Sequence, residues 1–205
     1  MEDQDLIRHN MAVFDSEDSG TSSKLKVFSQ LTDIIPESKL NLVIYYLKND
    51  QINQAYNLIK DLQPSNTKEY ILKGKFFHKH IAVVHCLLGQ QSEKNSEHLK
   101  KAQTYFQSIG ASASECDTVE GRQCMASCFR LNELYNDEII YLESIEVYMI
   151  EDDSFNWNYG ISLANTQQFK KAEEVLLRVK SEKFKNDQVY LLWLSKCHIM
   201  NGNPE

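Results

Sequence analysis

Proline and glycine are scarce in this chain, with 3 Pro and 7 Gly among 205 residues. Strand-rich folds use both at frequent turns, so the scarcity favours long helices joined by short connections. Long apolar runs are missing too. The longest, Ile81 to Leu88, is interrupted by His85 and falls far short of a membrane span. The opening Met-Glu-Asp-Gln-Asp is acidic, whereas a secretory leader needs a basic end and an apolar stretch. Intracellular residence is the expectation. Positive charge is in deficit, 22 Lys and Arg against 29 Asp and Glu, for a net charge of −7. That balance argues against general nucleic-acid binding, which relies on clustered cations facing phosphates. The 5 Cys of a chain without a leader read as free thiols in a reducing compartment. No phosphate loop, nucleophile elbow or paired-carboxylate arrangement occurs, so the expectation is a protein without catalytic residues or cofactor.

What the chain does have is repetition. Ala55, Ala102 and Ala172 each follow a polar turn and precede a bulky apolar residue four places on, at Ile59, Phe106 and Leu176. The segment around Tyr135, Leu142 and Ile145 has the same layout, with Glu138 where the alanine would be. From Glu138 to Ala172, and from Ala172 to the chain end, matching positions are about 34 to 35 residues apart, the period of the tetratricopeptide repeat. Val43, Ala126, Gly160 and Ser195 fall at one register of the first helix, where a partner helix approaches closely. The fold expected is all-α: a tetratricopeptide-like solenoid, a right-handed superhelix of antiparallel helix pairs truncated at the C-terminus. An ordinary helical bundle is the bland alternative.

A pass along the chain divides it as one helical-repeat domain. Leading helices occupy residues 1–35, with Leu6, Met11 and Phe14 broadly on one side of the first. An acidic, Ser-rich stretch at 15–23 is expected to be a mobile loop, followed by a helix over 24–35 that buries Leu25, Phe28, Leu31 and Ile35. Repeats then span 36–64, 67–110, 118–150 and 154–181, with an incomplete one at 186–205. Pro36 suits the first turn of a helix and Pro64 blocks one. Pro204 and Glu205 stand where the second helix of a pair should open, so Leu191, Leu194, Cys197 and His198 are expected to lack a partner and the chain reads as a fragment.

Repeats of this kind build binding surfaces. The inward register of each first helix picks out Gln123, Ser127 and Arg130, then Trp157, Ile161 and Asn165, then Leu192, Lys196 and Met200. Trp157 either anchors a partner or packs between neighbouring helices. Cys116, Cys124 and Cys128, and separately His78, His80, His85 and Cys86, are close in sequence. Zinc needs four converging ligands, and thiols beside Met125 and Phe129 on a packing helix act as small apolar groups, so no metal is expected. Glu151, Asp152 and Asp153 precede a helix, where carboxylates interact favourably with the N-terminus rather than perform acid–base work.

At Ser112-Ala113-Ser114-Glu115-Cys116-Asp117-Thr118 and Gly121 through Phe129 the sequence resembles the intraflagellar transport protein 56 (tetratricopeptide repeat protein 26) family, a subunit of complex B. Further matching strings lie at Leu6 to Asn10, Leu40 to Leu47, Ala55 to Leu62, Tyr70 to Gly74 and Ile199 to Gly202. The resemblance implies a non-catalytic train component of cilia and flagella, at axoneme and basal body and in the cytoplasm. Its partners would be other complex B subunits and motility cargo, with no nucleic acid and no membrane insertion. It also marks 75–82 as an insertion, compatible with a retained short intron, that should extend a helix by about two turns and misalign Leu87. The rival function is a co-chaperone adaptor that clamps a peptide's C-terminal carboxylate, for which the inward register supplies only Lys48, Arg130 and Lys196.

Overall fold

The computed structural model describes residues 2–14, 21–60, 68–91 and 96–202. Among them are twelve helices and no strand: α1 (Glu2–Phe14), α2 (Thr21–Leu31), α3 (Pro36–Lys48), α4 (Ile52–Ile59), α5 (Lys68–Gln90), α6 (Ser96–Gly110), α7 (Val119–Leu131), α8 (Tyr135–Met149), α9 (Asp153–Asn165), α10 (Phe169–Leu176), α11 (Glu182–Lys185) and α12 (Gln188–Met200). Sequential helices pack as neighbours, which is the tetratricopeptide-like helical-repeat architecture. The chain divides into two compact units, Met1–Tyr105 and Phe106–Glu205.

The repeat is written in the backbone of the second unit. Its first helices begin behind Thr118, Asp152 and Asp187, which are 34 and 35 residues apart and whose side chains accept from the backbone N–H of Gly121, Phe155 and Val189. Each cap satisfies a donor that the first helical turn leaves without a partner. The turns that end these helices place Glu133, Gln167 and Gly202 at φ 58°, 63° and 78°, again 34 and 35 apart. Only Gly202 adopts that left-handed conformation without a Cβ clash. Replacing Gln167 by Gly should therefore raise stability by about 0.5 kcal/mol, the relieved strain less the added entropy of the unfolded chain. Urea unfolding of the two proteins checks it, and a destabilised variant would refute it.

In the second unit α7 pairs with α8 and α9 with α10, while α12 lies on α9 and α10. The shared core joins Ala126, Leu142, Ile145, Tyr159, Leu163, Ala172, Val175 and Leu176. Gly160 sits where the α9 backbone meets α10: a Cβ there would lie 2.6 Å from Leu176 Cγ and Cδ2. The alanine register is occupied as the repeat demands at Ala172, which is fully buried.

In the first unit α1, α2, α3 and α4 follow one another, and α5 packs on both α3 and α4. Val43, Ala55, Ile59, Phe77, Ile81, Val84 and Leu88 form its main core. Helix α5 runs unbroken through 75–82. Phe77, Ile81 and Ala82 from that stretch are buried, as are Val84 and Leu88 beyond it. The 75–82 stretch thus supplies core residues.

Several expectations need correction. Of the 15–23 stretch, residues 15–20 lie outside the described residues and 21–23 belong to α2. Pro64, Pro204 and Glu205 also lie outside them. On α1, Leu6, Met11 and Phe14 are exposed, and the side turned to α2 and α3 carries His9 and Ala12. On α12, Cys197 is buried in the core and His198 Nδ1 lies 3.1 Å from Glu173 Oε1 of α10 without the geometry of a hydrogen bond, so both face their own unit. Val189, Leu192, Ile199 and Met200 are the residues left open, together with Leu191. Of the four residues expected to be open, Leu191 is exposed while Leu194 packs half-buried against the core, because a helix apolar all round does not say which face is inside.

Candidate partner surface

The sequence register puts nine residues of α7, α9 and α12 on a groove, and the structure gives them three different fates. Arg130 is drawn into packing. Its Nε donates to Glu138 Oε1 at 2.9 Å, and its Nη2 donates to the Asn158 carbonyl at 2.8 Å and Ser162 Oγ at 2.9 Å. One guanidinium therefore ties α7 to α8 and α9. Glu138, in the register where other copies have alanine, is 2% exposed, and its Oε2 has no hydrogen-bond partner among the described residues. Burial pushes its carboxyl above the usual carboxylate range, against the pull of Arg130 and Ser162. Charge in the small-residue slot is thus tolerated because a cation reaches it. No feature of α8 alone pointed to Arg130 as the partner.

Trp157 is half-buried and Ile161 buried against their own unit. The indole meets Phe184 of α11 edge-on at 4.8 Å and Tyr190 of α12 at 6.3 Å. Ile161 is buried. Trp157 thus packs against two neighbouring helices, and α11, which supplies Phe184, was not foreseen. Asn165 Nδ2 and Ser127 Oγ donate to carbonyls four residues back, Ile161 and Gln123, which closes off local donors. Gln123 is half-buried on the same side of α7 as Ser127.

Leu192, Lys196 and Met200 form an open stripe on α12, with Leu192 67% and Met200 57% exposed. Between them the Lys196 ammonium stands 4.5 Å from the Trp193 ring centroid and 6.0 Å from that of Phe169. A second open stripe, missed by the sequence reading, is the outer face of α8: Ile140, Val147 and Tyr148 are each more than 60% exposed. Their spacing of seven and eight was visible, but so was the opposite apolar stripe through Leu142 and Ile145. A helix with two apolar faces does not say which one is inside.

The chemical candidates are absorbed into structure. Cys124, Cys128 and Cys197 are buried, and burial raises the Cys128 and Cys197 thiols above their ordinary value. Such thiols are poor nucleophiles. Cys86 is raised likewise, and Cys116 is half-buried. Asp152 caps α9, while the two oxygens of Asp153 accept from Lys180 N and Ser181 N at 2.8 Å each. Among the described residues no three or more His, Cys, Asp or Glu converge as metal ligands, and no helix is long and apolar enough to cross a membrane.

The histidines gather differently from their order in sequence. His85 of α5 and His98 of α6 bring their Nδ1 atoms to 2.7 Å, so one donates and the other accepts. Tyr56 of α4 meets both rings edge-on, and Tyr105 stacks on His85 at 6.2 Å. Burial, then His98 and Lys101, push His85 down to about 4, with Glu97 pulling the other way. A histidine whose folded value is depressed adds stability above its unfolded value of about 6.5 that is lost as pH falls toward 4. Stability of the first unit should decline across that window, and His85→Phe should flatten the decline; melts between pH 7 and 4 test it, and identical slopes would exclude the pair as its source.

Comparison with known proteins names this arrangement. The curated Intraflagellar transport protein 56 homolog of Caenorhabditis elegans is 30% identical over 200 residues, covering 98% of this chain and 32% of that protein. The chain thus spans about a third of the length of that relative. The family model for Intraflagellar transport protein 56 matches residues 1–205. From its first residue to its last described helix, the chain belongs to the intraflagellar transport protein 56 family.

Proposed function

We propose that this chain is a non-catalytic scaffold segment of intraflagellar transport complex B. It supports assembly of the cilium or flagellum and anterograde carriage of motility cargo, and works by binding other complex B subunits and cargo proteins. Cilium, axoneme and basal body are its places of work, with a cytoplasmic pool. The family match across residues 1–205 is the observation that carries this reading. Helical pairs with exposed apolar stripes on α8 and α12 fit it, because exposed apolar surface beyond scattered residues marks binding sites. The carboxylate-clamp rival is weakened at Arg130, whose Nε and Nη2 already donate to Glu138, Asn158 and Ser162.

The test is deletion of the gene in ciliated cells, followed by proteomics of isolated axonemes and crosslinking of transport particles. Shortened or immotile cilia depleted of motility proteins, with crosslinks from this segment to complex B, are expected. Cilia of normal length and composition, with no such crosslinks, would refute the assignment.

A further inference from the structure

The outer face of α8 is apolar and open in the middle and acidic at both ends. Ile140, Val147 and Tyr148 are 63%, 75% and 73% exposed. At about 100° per residue they share one side of the helix, with Asp137 before them and Glu151 after them, about 21 Å apart along the axis. From Leu131 to Phe169 the sequence holds eight Asp and Glu and no Lys, Arg or His. Four cations reach in from outside that stretch: Arg130 to Glu138, Lys171 to Glu143, Arg178 to Glu146 and Lys180 to Glu151. Asp153 is taken by the backbone N–H groups of Lys180 and Ser181. Glu133 and Asp137 at one end of α8, and Asp152 at the other, form no ion pair among the described residues. The Lys180–Glu151 pair is 72% and 76% exposed, a setting in which an ion pair is worth little. Negative charge is therefore left over at both ends of the apolar stripe. The open stripe of α12 differs, since that helix has no acidic residue and carries Lys196.

We propose that the outer face of α8 docks an amphipathic helix of a partner protein that carries Lys or Arg at both ends of its apolar stripe. The partner's apolar side chains seat on Ile140, Val147 and Tyr148, which nothing else in the unit buries. Its cations meet Glu133 and Asp137 at one end, and Asp152 and Glu151 at the other, where Lys180 gives way. Removing the three side chains from water supplies the hold, and the uncompensated carboxylates steer and orient the incoming helix. An anionic membrane surface is repelled by the same charge. The partner class deepens the scaffold reading and rests on it only for there being a partner protein. Its test uses the isolated chain, so failure there would leave the transport assignment standing.

The probe is fluorescein-Gly-Lys-Lys-Leu-Ala-Gln-Leu-Ala-Gln-Ala-Leu-Ala-Gln-Leu-Lys-Lys-Gly-amide, titrated by anisotropy into the 205-residue chain. As a helix it places its Lys pairs to reach both ends of α8. Saturable binding is expected, weakened about tenfold by Ile140→Ser with Val147→Ser, about threefold by Asp137→Lys, and unchanged by Leu192→Ser on α12. Added salt should weaken it as well. The replaced side chains are all exposed, and circular dichroism reports whether each variant is folded; if Asp137→Lys is not, Asp137→Asn decides. A peptide with Glu in place of Lys, or Ser in place of Leu, should not bind. No saturation at millimolar protein, equal binding of the Glu or Ser peptide, wild-type affinity in the folded α8 variants, or lost binding in Leu192→Ser would each overturn the assignment. Sedimentation of the wild type and the α8 double variant should agree. A dimer that the double variant dissolves would make a second copy the occupant and overturn it too.

Discussion

Replacing Arg130 by Met should destabilise the second unit by about 3–5 kcal/mol, because it strands a carboxylate that is already 2% exposed. Arg130 provides the hydrogen bond to Glu138 Oε1, and Oε2 has no partner among the described residues. The reverse deletion should be far milder. Glu138→Ala restores the small residue that the repeat carries at Ala172, and leaves a guanidinium whose side chain is 28% exposed and can be hydrated. The double variant should then match Glu138→Ala alone. The asymmetry has a pH signature. A carboxyl whose folded pKa lies above its unfolded value holds a proton more readily when folded, so its contribution is fully present below the unfolded value and is lost as pH rises through the folded one. Without Arg130 the folded value rises further, and the deficit of Arg130→Met should shrink as pH falls through that window. Urea titrations of the four proteins at neutral and acid pH measure this. Equal losses from the two single variants would show that the pair is not acting as described.

A second large effect is expected at the contact between Gly160 and Leu176. Leu176 is fully buried in the core of α9, α10 and α12, so Leu176→Ala should cost about 2–5 kcal/mol through lost transfer energy and a residual cavity. Gly160→Ala should cost about 1–3 kcal/mol by the opposite route, since its Cβ would stand 2.6 Å from Leu176. The two damages compensate. In the double variant the new methyl enters the space that Leu176 leaves, and the combined loss should be at least 1 kcal/mol smaller than the sum, the coupling roughly expected of residues in contact. Strict additivity in a double-mutant cycle would mean that the helices yield instead of the side chains.

Helix pairs, their period and their cores were legible because each depends on local spacing. Scarce Pro and Gly disfavoured a strand-rich fold, and Ala55 and Ala172 marked the tight positions that the structure buries completely. Even the odd member, Glu138, was visible as an exception. The candidate surface was far less legible. Trp157 and Leu192 share one register, yet Trp157 packs half-buried against Phe184 and Tyr190 while Leu192 is open. Register names the side of a helix; it does not say what the rest of the chain lays against that side.

Composition and periodicity decided that this chain forms paired helices, because amphipathic spacing and turn chemistry act over a few residues at a time. The pairing of Arg130 with Glu138 across eight residues and with Ser162 across thirty-two was decided by tertiary structure, as was the gathering of His85, His98 and Tyr56 from three helices. These features rest on distances between elements far apart in the chain, and a charge or ring acquires its partner only when packing sets those distances.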